Sequence, residues 1–505
     1  MKRKHSRILS ALLAVLLSAA SLAACSEKTA HDPGSAGEAV PGQSASPAEA
    51  ADAGETAAPE EEPDSLEARA LVDDGLGERD FAGDTFRMLY QERYAEFQFA
   101  EELTGDTLPD AVYNRNVRVE DRFNVKLGHE TDAEEAMAQR IMNSTMAGDD
   151  ACDLYMGHSI YTGKYAVKGI FRNWYDLGVD FSKPWYPQYA VAHLTLNDKM
   201  FLTVSDICLS LASNSYCYYF NKDLVRSAGF EDMYGVVREG RWTVDYLLTE
   251  IADWYQDADG DGAAGSGDIY GFDGEKSNST VAYLYSFEVN VLDVGDDGTV
   301  NMVFGSDERS VDAVEKLKTL LYGSRGSYYQ TSGEVGNTDM FASGNAMFIT
   351  GVLHQSATDF RDSCDFDYGI IPYPKYEEAQ ENYYTVAGGS ISSCAVPLTV
   401  TRDELVGTIF AALSAESWKT VLPQYYDVVL KYKGARDETS IEMIDIVLNG
   451  RNIDLEFIYD AFTGYIYKMA EILKDSSGLA TYTAKNNKVV QKHYAKVMEL
   501  FYPAE

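Results

Sequence analysis

Cysteine, proline, tryptophan and basic side chains are all scarce in this 505-residue sequence, which has 6 Cys, 13 Pro, 5 Trp, and 42 Lys and Arg against 80 Asp and Glu. The acidic excess leaves a formal net charge of −38. Such a surface repels phosphate backbones, so nucleic acid is excluded as a partner. Beyond Cys25 there are only Cys152, Cys208, Cys217, Cys364 and Cys394. An odd number leaves at least one thiol unpaired. There is no CxxC and no Cys/His group at zinc spacing, so these residues read as buried free thiols, with a Cys208–Cys217 bridge left open. After the run Ile8 to Ala20, no stretch reaches the ~18 apolar residues of a membrane span. Catalytic signatures are missing too. The sequence has no HExxH and no GxxxxGK[ST], and Gly157-His158-Ser159-Ile160-Tyr161 begins like GxSxG but lacks its final glycine. With 80 acidic residues, no carboxylate pair is singled out for glycoside hydrolysis, and no catalytic residue is assigned.

What is present begins at the N-terminus. Lys2, Arg3, Lys4 and Arg7 precede the short apolar run, and Leu22-Ala23-Ala24-Cys25 follows it. Small residues ahead of a cysteine are what a signal peptidase and a lipid-transferring enzyme require. Residues 1–24 are therefore expected to be a lipoprotein signal and Cys25 a lipidated anchor, since two acyl chains suffice for stable attachment. Residues 26–80 are rich in Ala, Glu, Pro, Gly and Ser and poor in aromatics, which predicts a disordered acidic linker. The folded part is expected over 81–505. That is more chain than one hydrophobic core usually supports, so two lobes are expected.

Strand and helix patterns alternate through this part. Thr85–Tyr90, Val125–Leu127, Asp153–Met156, Met200–Val204 and Tyr216–Phe220 read as strands, with Val112, Val119 and Phe123 on one helical face, the pattern of an α/β fold. Thr243 caps a helix whose inward stripe is Val244, Leu247, Leu248, Ile251 and Tyr255. Thr439 and Glu442 have capping-box spacing, and Gly450 stops that helix.

The most chemically specific stretch is Asp257 to Asp268. Asp257, Asp259 and Asp261 stand at positions 1, 3 and 5 of an EF-hand-like loop, Gly262 at the sharp turn, Ala263 with its carbonyl at 7, and Asp268 at 12. Oxygen ligands alone suit Ca2+, and these five residues are the expected structural calcium ligands. Position 12 carries the shorter Asp, and Ile269–Phe272 reads as a strand rather than a second helix.

YYFNKDLV at 218–225, RWTVDYLL at 241–248, FASGNAMFITG at 341–351 and DYGIIPYPK at 367–375 occur in that order after a lipoprotein signal. Together they resemble the extracellular solute-binding proteins of ABC importers, in the broad group that contains the maltose-binding protein. YNRNVRVEDRFNV at 113–125 and YKGARDETSIEMIDIV at 432–447 further resemble a Gram-positive branch. The resemblance implies a type II periplasmic-binding-protein-like clamshell in which two α/β lobes, joined by hinge strands, close on a ligand. It places one lobe at about 81–213 and 339–385 and the other at about 218–338 and 396–505. Crossings are expected near 213–218, 338–341 and 384–396.

Ligand residues are expected at strand ends and crossings, where α/β sheets place their ligands. These are Gly157 and His158 after the third strand, Asp206 after Met200–Val204, and Gly389 and Ser390 on the last crossing. Asn214 lies seven residues before Asn221, where the resembled proteins carry a polar hinge ligand, often a carboxylate. Trp174, Trp185 and Tyr155 are candidate stacking platforms, whereas Trp242, at the entry of a capped helix, reads as core. The expectation is a binding protein and not an enzyme. It would be a lipid-anchored monomer on the outer face of a Gram-positive-type membrane, delivering a small polar ligand, with sugar favoured, to ABC permease subunits. A secreted polysaccharide-processing enzyme and a sensor or adhesin on the same clamshell are the alternatives.

Overall fold

A computed structural model describes residues 66–275, 279–329 and 335–503. The signal, Cys25 and the first part of the linker lie outside the described residues. Order begins earlier than the composition suggests. Helix α1 (Leu66–Leu71) and the turn after it lie on the folded body, so the expected linker boundary at residue 80 is corrected to one before Leu66. The reason is a set of specific long-range contacts: Arg69 stacks over Trp418, Arg122 forks onto the Asp74 carboxylate, and Lys183 Nζ donates to the Asp73 carbonyl.

The first sheet is built from β1 (Asp84–Gln91), β2 (Val125–Asp132), β3 (Leu154–His158) and, much later in sequence, β12 (Ser392–Ala395), in the order β12-β3-β1-β2. β1 pairs parallel with both β2 and β3, and β12 is antiparallel to β3. Helices α2 (Thr107–Phe123), α3 (Glu134–Ala147) and α4 (Ser159–Ala166) connect or follow these strands, and α5 (Gln188–Leu194) lies further along. α2 ends on Asn124 in the left-handed region, which turns the chain directly into β2. Met200–Val204, expected as a strand, makes only isolated bridging contact, Thr203 to Cys394.

The second sheet has the order β11-β4-β10-β6-β5, with β9 beside β6. Its strands are β4 (Tyr216–Asn221), β5 (Tyr255–Gln256), β6 (Ile269–Gly274), β9 (Ser327–Tyr329), β10 (Ala346–Val352) and β11 (Tyr368–Ile371), and a separate hairpin joins β7 (Leu292–Val294) to β8 (Val300–Met302). Both β10 and β11 run antiparallel to β4. This corrects the expected lobe boundaries. Residues 339–385 belong with the second sheet, no crossing occurs at 338–341, and β12 with helix Asp403–Glu416 returns to the first, where that helix packs on α2 and β1. Strand pairing decides this, because the antiparallel register from Phe348 opposite Phe220 to Val352 opposite Tyr216 holds β10 to β4 along its length. The capping of helix Glu438–Asn449 also differs from the expected box: Asp437 is the cap and accepts from the Ser440 amide, with Lys222 paired to the same carboxylate.

Among the described residues, no helix is long and apolar enough to cross a membrane. All five described cysteines are buried and free. Cys208 lies 3.4 Å from Cys394, not beside Cys217, so the bridge left open by the sequence does not form.

Candidate functional site

The chain passes between the sheets on adjacent extended segments. The Leu353 and His354 amides donate to the carbonyls of Ser215 and Ser213, Ser215 bridges Ala387, and Thr385 bridges Arg451. These bonds form a ribbon of crossings, and two predicted site residues meet on it. Asn214 Nδ2 donates to the Tyr94 hydroxyl at 3.0 Å, and that hydroxyl lies 3.2 Å from Ser390 Oγ. Either hydroxyl can donate across the Tyr94–Ser390 contact. Asn214 Nδ2 also reaches the Ser210 carbonyl and Ser213 Oγ. Its Oδ1 accepts from no described residue, and Asn214 lines a cavity of about 360 Å3 with Arg93, Tyr94, Phe97, His354 and Tyr425.

The short turn Glu92–Phe97 that follows β1 brings Arg93 and Tyr94 to this point. It is held from behind by Arg115 on α2, which is 0% exposed. That guanidinium donates to the Phe97 and Gln98 carbonyls, Asn116 Oδ1 and Ser417 Oγ, and no salt bridge joins it to a described carboxylate. Burial pushes the Arg115 pKa down to about 10. Gln91, at the end of β1, donates to the Ser390 carbonyl and Ser392 Oγ and fixes the other crossing.

His158 ends β3, and its buried Nδ1 has no hydrogen-bond partner among the described residues. Burial, and then the charge of Arg93, pushes its pKa down to about 4, so the ring is neutral at physiological pH. Burial also lowers the pKa of His354, partly offset by the bond its Nδ1 donates to the Ser213 carbonyl. The His158 ring lies 4.5 Å from Tyr161, Tyr161 lies 6.4 Å from Phe462, and Phe462 lies 5.5 Å from Tyr467. Phe462 and Ala461 both have positive φ, 63° and 47°, which is strained backbone for residues with a Cβ. Asp460 anchors that bend by accepting from the Tyr467 amide at 3.0 Å and the Tyr494 hydroxyl at 3.3 Å.

Burial pushes the Asp460 pKa up to about 7. The folded state then holds a proton that the unfolded chain releases near pH 4, so this group's contribution falls as pH rises from about 4 to about 7. His158 acts with the opposite sign: its contribution rises between about 4 and 6.5, because there the unfolded chain binds the extra proton. In an Asp460→Asn variant the decline in stability between pH 5 and 7 should flatten, as read from urea midpoints at each pH. A slope identical to that of the native protein would contradict the assignment.

Other predicted residues are placed elsewhere. Trp174 and Tyr155 are both 0% exposed, Trp174 donating to the Cys394 carbonyl against Phe410 and Tyr155 stacking on Phe171, so as platforms they are corrected to core. Trp185 packs on Trp418, also in the core, and Trp242 is core as expected. Their bulk fills the space behind the sheets, where apolar burial outweighs presentation to solvent. Gly157 is a packing glycine, since a Cβ there would meet the Tyr155 ring at 2.0–2.4 Å. At Gly389 a Cβ would lie 2.3 Å from Ile160 and 2.8 Å from the Tyr467 hydroxyl, which lets the crossing approach both groups. The Asp206 amide donates to the Trp185 carbonyl, and its charge acts on Tyr189 of α5. Sequence reasoning missed Gln91, Arg93, Tyr94, His354, Phe462 and Tyr467. No local motif marks them; the ends of β1 and β10 were the available signal.

In the acidic loop, carboxylate oxygens of Asp257, Asp259 and Asp261 lie within 4.8 Å of one another and are exposed. Gly260 and Gly262 both have φ of 75°, and Asp257 accepts from their amides. The donor set is the hard-oxygen kind that calcium takes. Asp268 stands outside this group: it is 0% exposed and accepts from the Ala258 and Gly265 amides and the Tyr255 hydroxyl, closing the base of the loop before β6.

No family model matches this chain, and no curated protein matches it in sequence. Its fold is that of the solute-binding proteins of ABC transporters. The sugar-binding protein MalE of Xanthomonas citri superposes with a TM-score of 0.57 at 12% identity, over 83% of this chain and 100% of its own. UspC of Mycobacterium tuberculosis gives 0.53 at 12%, covering 81% and 100%. A solute-binding protein of Agrobacterium radiobacter in complex with ribitol gives 0.50 at 12%, covering 83% and 100%.

Proposed function

We propose that this chain is an extracellular solute-binding lipoprotein that captures a small polar ligand, a carbohydrate by preference, and delivers it to ABC permease subunits. The observation that carries the reading is the Asn214–Tyr94–Ser390 chain, which ties two lobe crossings together beside a cavity. Polar groups at a hinge feel the ligand and the lobe angle together, so binding there biases closure. The unpaired Asn214 Oδ1 offers the cavity an acceptor, as a ligand hydroxyl requires. Aromatic faces at His158, Tyr161, Phe462 and Tyr467 suit sugar rings, and the fold is shared with sugar- and ribitol-binding proteins. The role is binding without turnover, in keeping with the sugar- and ribitol-binding proteins that share the fold. Cys25 would anchor a monomer to the outer face of a Gram-positive-type cell membrane, with the acidic segment as spacer.

A thermal-shift screen of the protein against oligosaccharides, polyols, amino acids, peptides and polyamines tests this. Ligand at 100 times its Kd adds about 2.7 kcal/mol to native stability, which is visible as a saturable shift. Silence across the panel would sink the transport reading.

The same proposal includes a structural Ca2+ held by Asp257, Asp259, Asp261 and the Ala263 carbonyl, with Asp268 shaping the loop. EGTA is then expected to lower the melting temperature, and added calcium to restore it. An unchanged melting curve would end the calcium assignment.

A further inference from the structure

A larger cavity, about 680 Å3, lies at the opposite edge of the crossing ribbon. The ribbon runs in the order 353–354, 213–216, 385–388 and 450–452. The 360 Å3 cavity takes Ser213, Asn214 and His354 from its first edge, and the larger one takes Tyr384, Arg451 and Asn452 from its last. One wall is α5 of the first lobe, through Tyr189 and His193. The facing wall is residues 284–294 of the second.

Two polar groups lining this space, Tyr189 and Arg451, are left open. The Tyr189 hydroxyl is buried with no hydrogen-bond partner among the described residues. Arg451 donates only its Nε, to the Leu448 carbonyl at 2.7 Å, and pairs with no described carboxylate, although Asp454 and Glu456 line the same cavity. Asp454 is positioned by the Tyr285 hydroxyl at 2.8 Å and the Phe457 amide at 2.7 Å, and the Glu456 carboxyl lies against it. His193 Nδ1 meets Asn452 Oδ1 at 3.0 Å, joining α5 to the ribbon. Arg451 acts electrostatically on Tyr189, more strongly than the opposing charge of Asp206, and the carboxyl pair lines the same cavity.

A guanidinium and a carboxyl pair that share a cavity without pairing are complementary to a ligand carrying both charges. We infer that this cavity binds a free α-amino acid, its carboxylate on Arg451 and the Tyr189 hydroxyl and its ammonium on Asp454 and Glu456. Because the walls come from both lobes, the amino acid and the transported solute are linked through the hinge, each changing the other's affinity by the same factor. Burial holds both carboxyl groups above the usual carboxylate range, so an arriving ammonium favours their ionised forms and binding releases protons.

Titration calorimetry of the full-length protein with each common amino acid at millimolar concentration, in two buffers of different ionisation enthalpy, tests the inference. At least one amino acid should bind with proton release, while methylammonium and acetate, each with one charge, should bind far more weakly. Glu456→Gln and Tyr189→Phe, each a one-atom change, should weaken that binding about tenfold, as expected for loss of one buried hydrogen bond. The inference fails if no amino acid binds the native protein, if the singly charged probes bind as well, or if Glu456→Gln and Tyr189→Phe leave the binding intact.

Discussion

Replacing Asn214 with alanine is expected to weaken solute binding by about 10- to 100-fold, the equivalent of losing one or two buried hydrogen bonds. The amide is 4% exposed, yet its Oδ1 is uncommitted and its Nδ2 orients Tyr94 toward Ser390. The substitution removes an acceptor from the cavity and the donor to the Tyr94 hydroxyl. Tyr94→Phe should cost less, about fivefold, because it breaks the relay to Ser390 but keeps Asn214 Oδ1. Isothermal titration with the solute identified by screening measures both. An affinity unchanged in Asn214→Ala would remove the hinge from the binding site.

The second large effect concerns stability. Arg115→Ala should destabilise the protein by about 3–5 kcal/mol, since it opens a cavity and strands buried carbonyls. The guanidinium fills the space between α2, the turn Glu92–Phe97 and Ser417, and it is the donor for the carbonyls of Phe97 and Gln98. Arg115→Met keeps most of the volume and loses only the hydrogen bonds, so its cost should be about half as large. Urea unfolding with a shared m-value distinguishes the two. Both variants should also loosen Tyr94, so solute affinity falls with stability. A variant that lost stability but kept full affinity would show that the turn does not depend on Arg115.

Much of the fold was legible locally. Alternating apolar runs marked β1, β2, β3 and β4, and Thr243 does cap its helix, accepting from the Tyr246 amide. Asn221 ends β4 and caps the next helix with its side chain, which explains the NKDL segment. The acidic loop was legible because alternating aspartates and Gly262 dictate a local turn. Asp268 was not, because its carboxylate is claimed by Tyr255 and by backbone amides that only the folded loop presents.

The sequence by itself determined the acidic surface, the α/β alternation, the capped helices and the carboxylate loop. All of these rest on residue type and short-range spacing. Tertiary structure alone decided that β12 returns to the first sheet 234 positions after β3 ends, pairing Ser392 with His158. It also decided that α1 folds back onto Trp418, that the tryptophans turn inward, and that Tyr94, contributed by a turn far away in sequence, joins Asn214 to Ser390. Strand partners and buried hydrogen bonds are chosen by the competition of the whole chain for a shared interior, and short-range spacing carries no record of that choice.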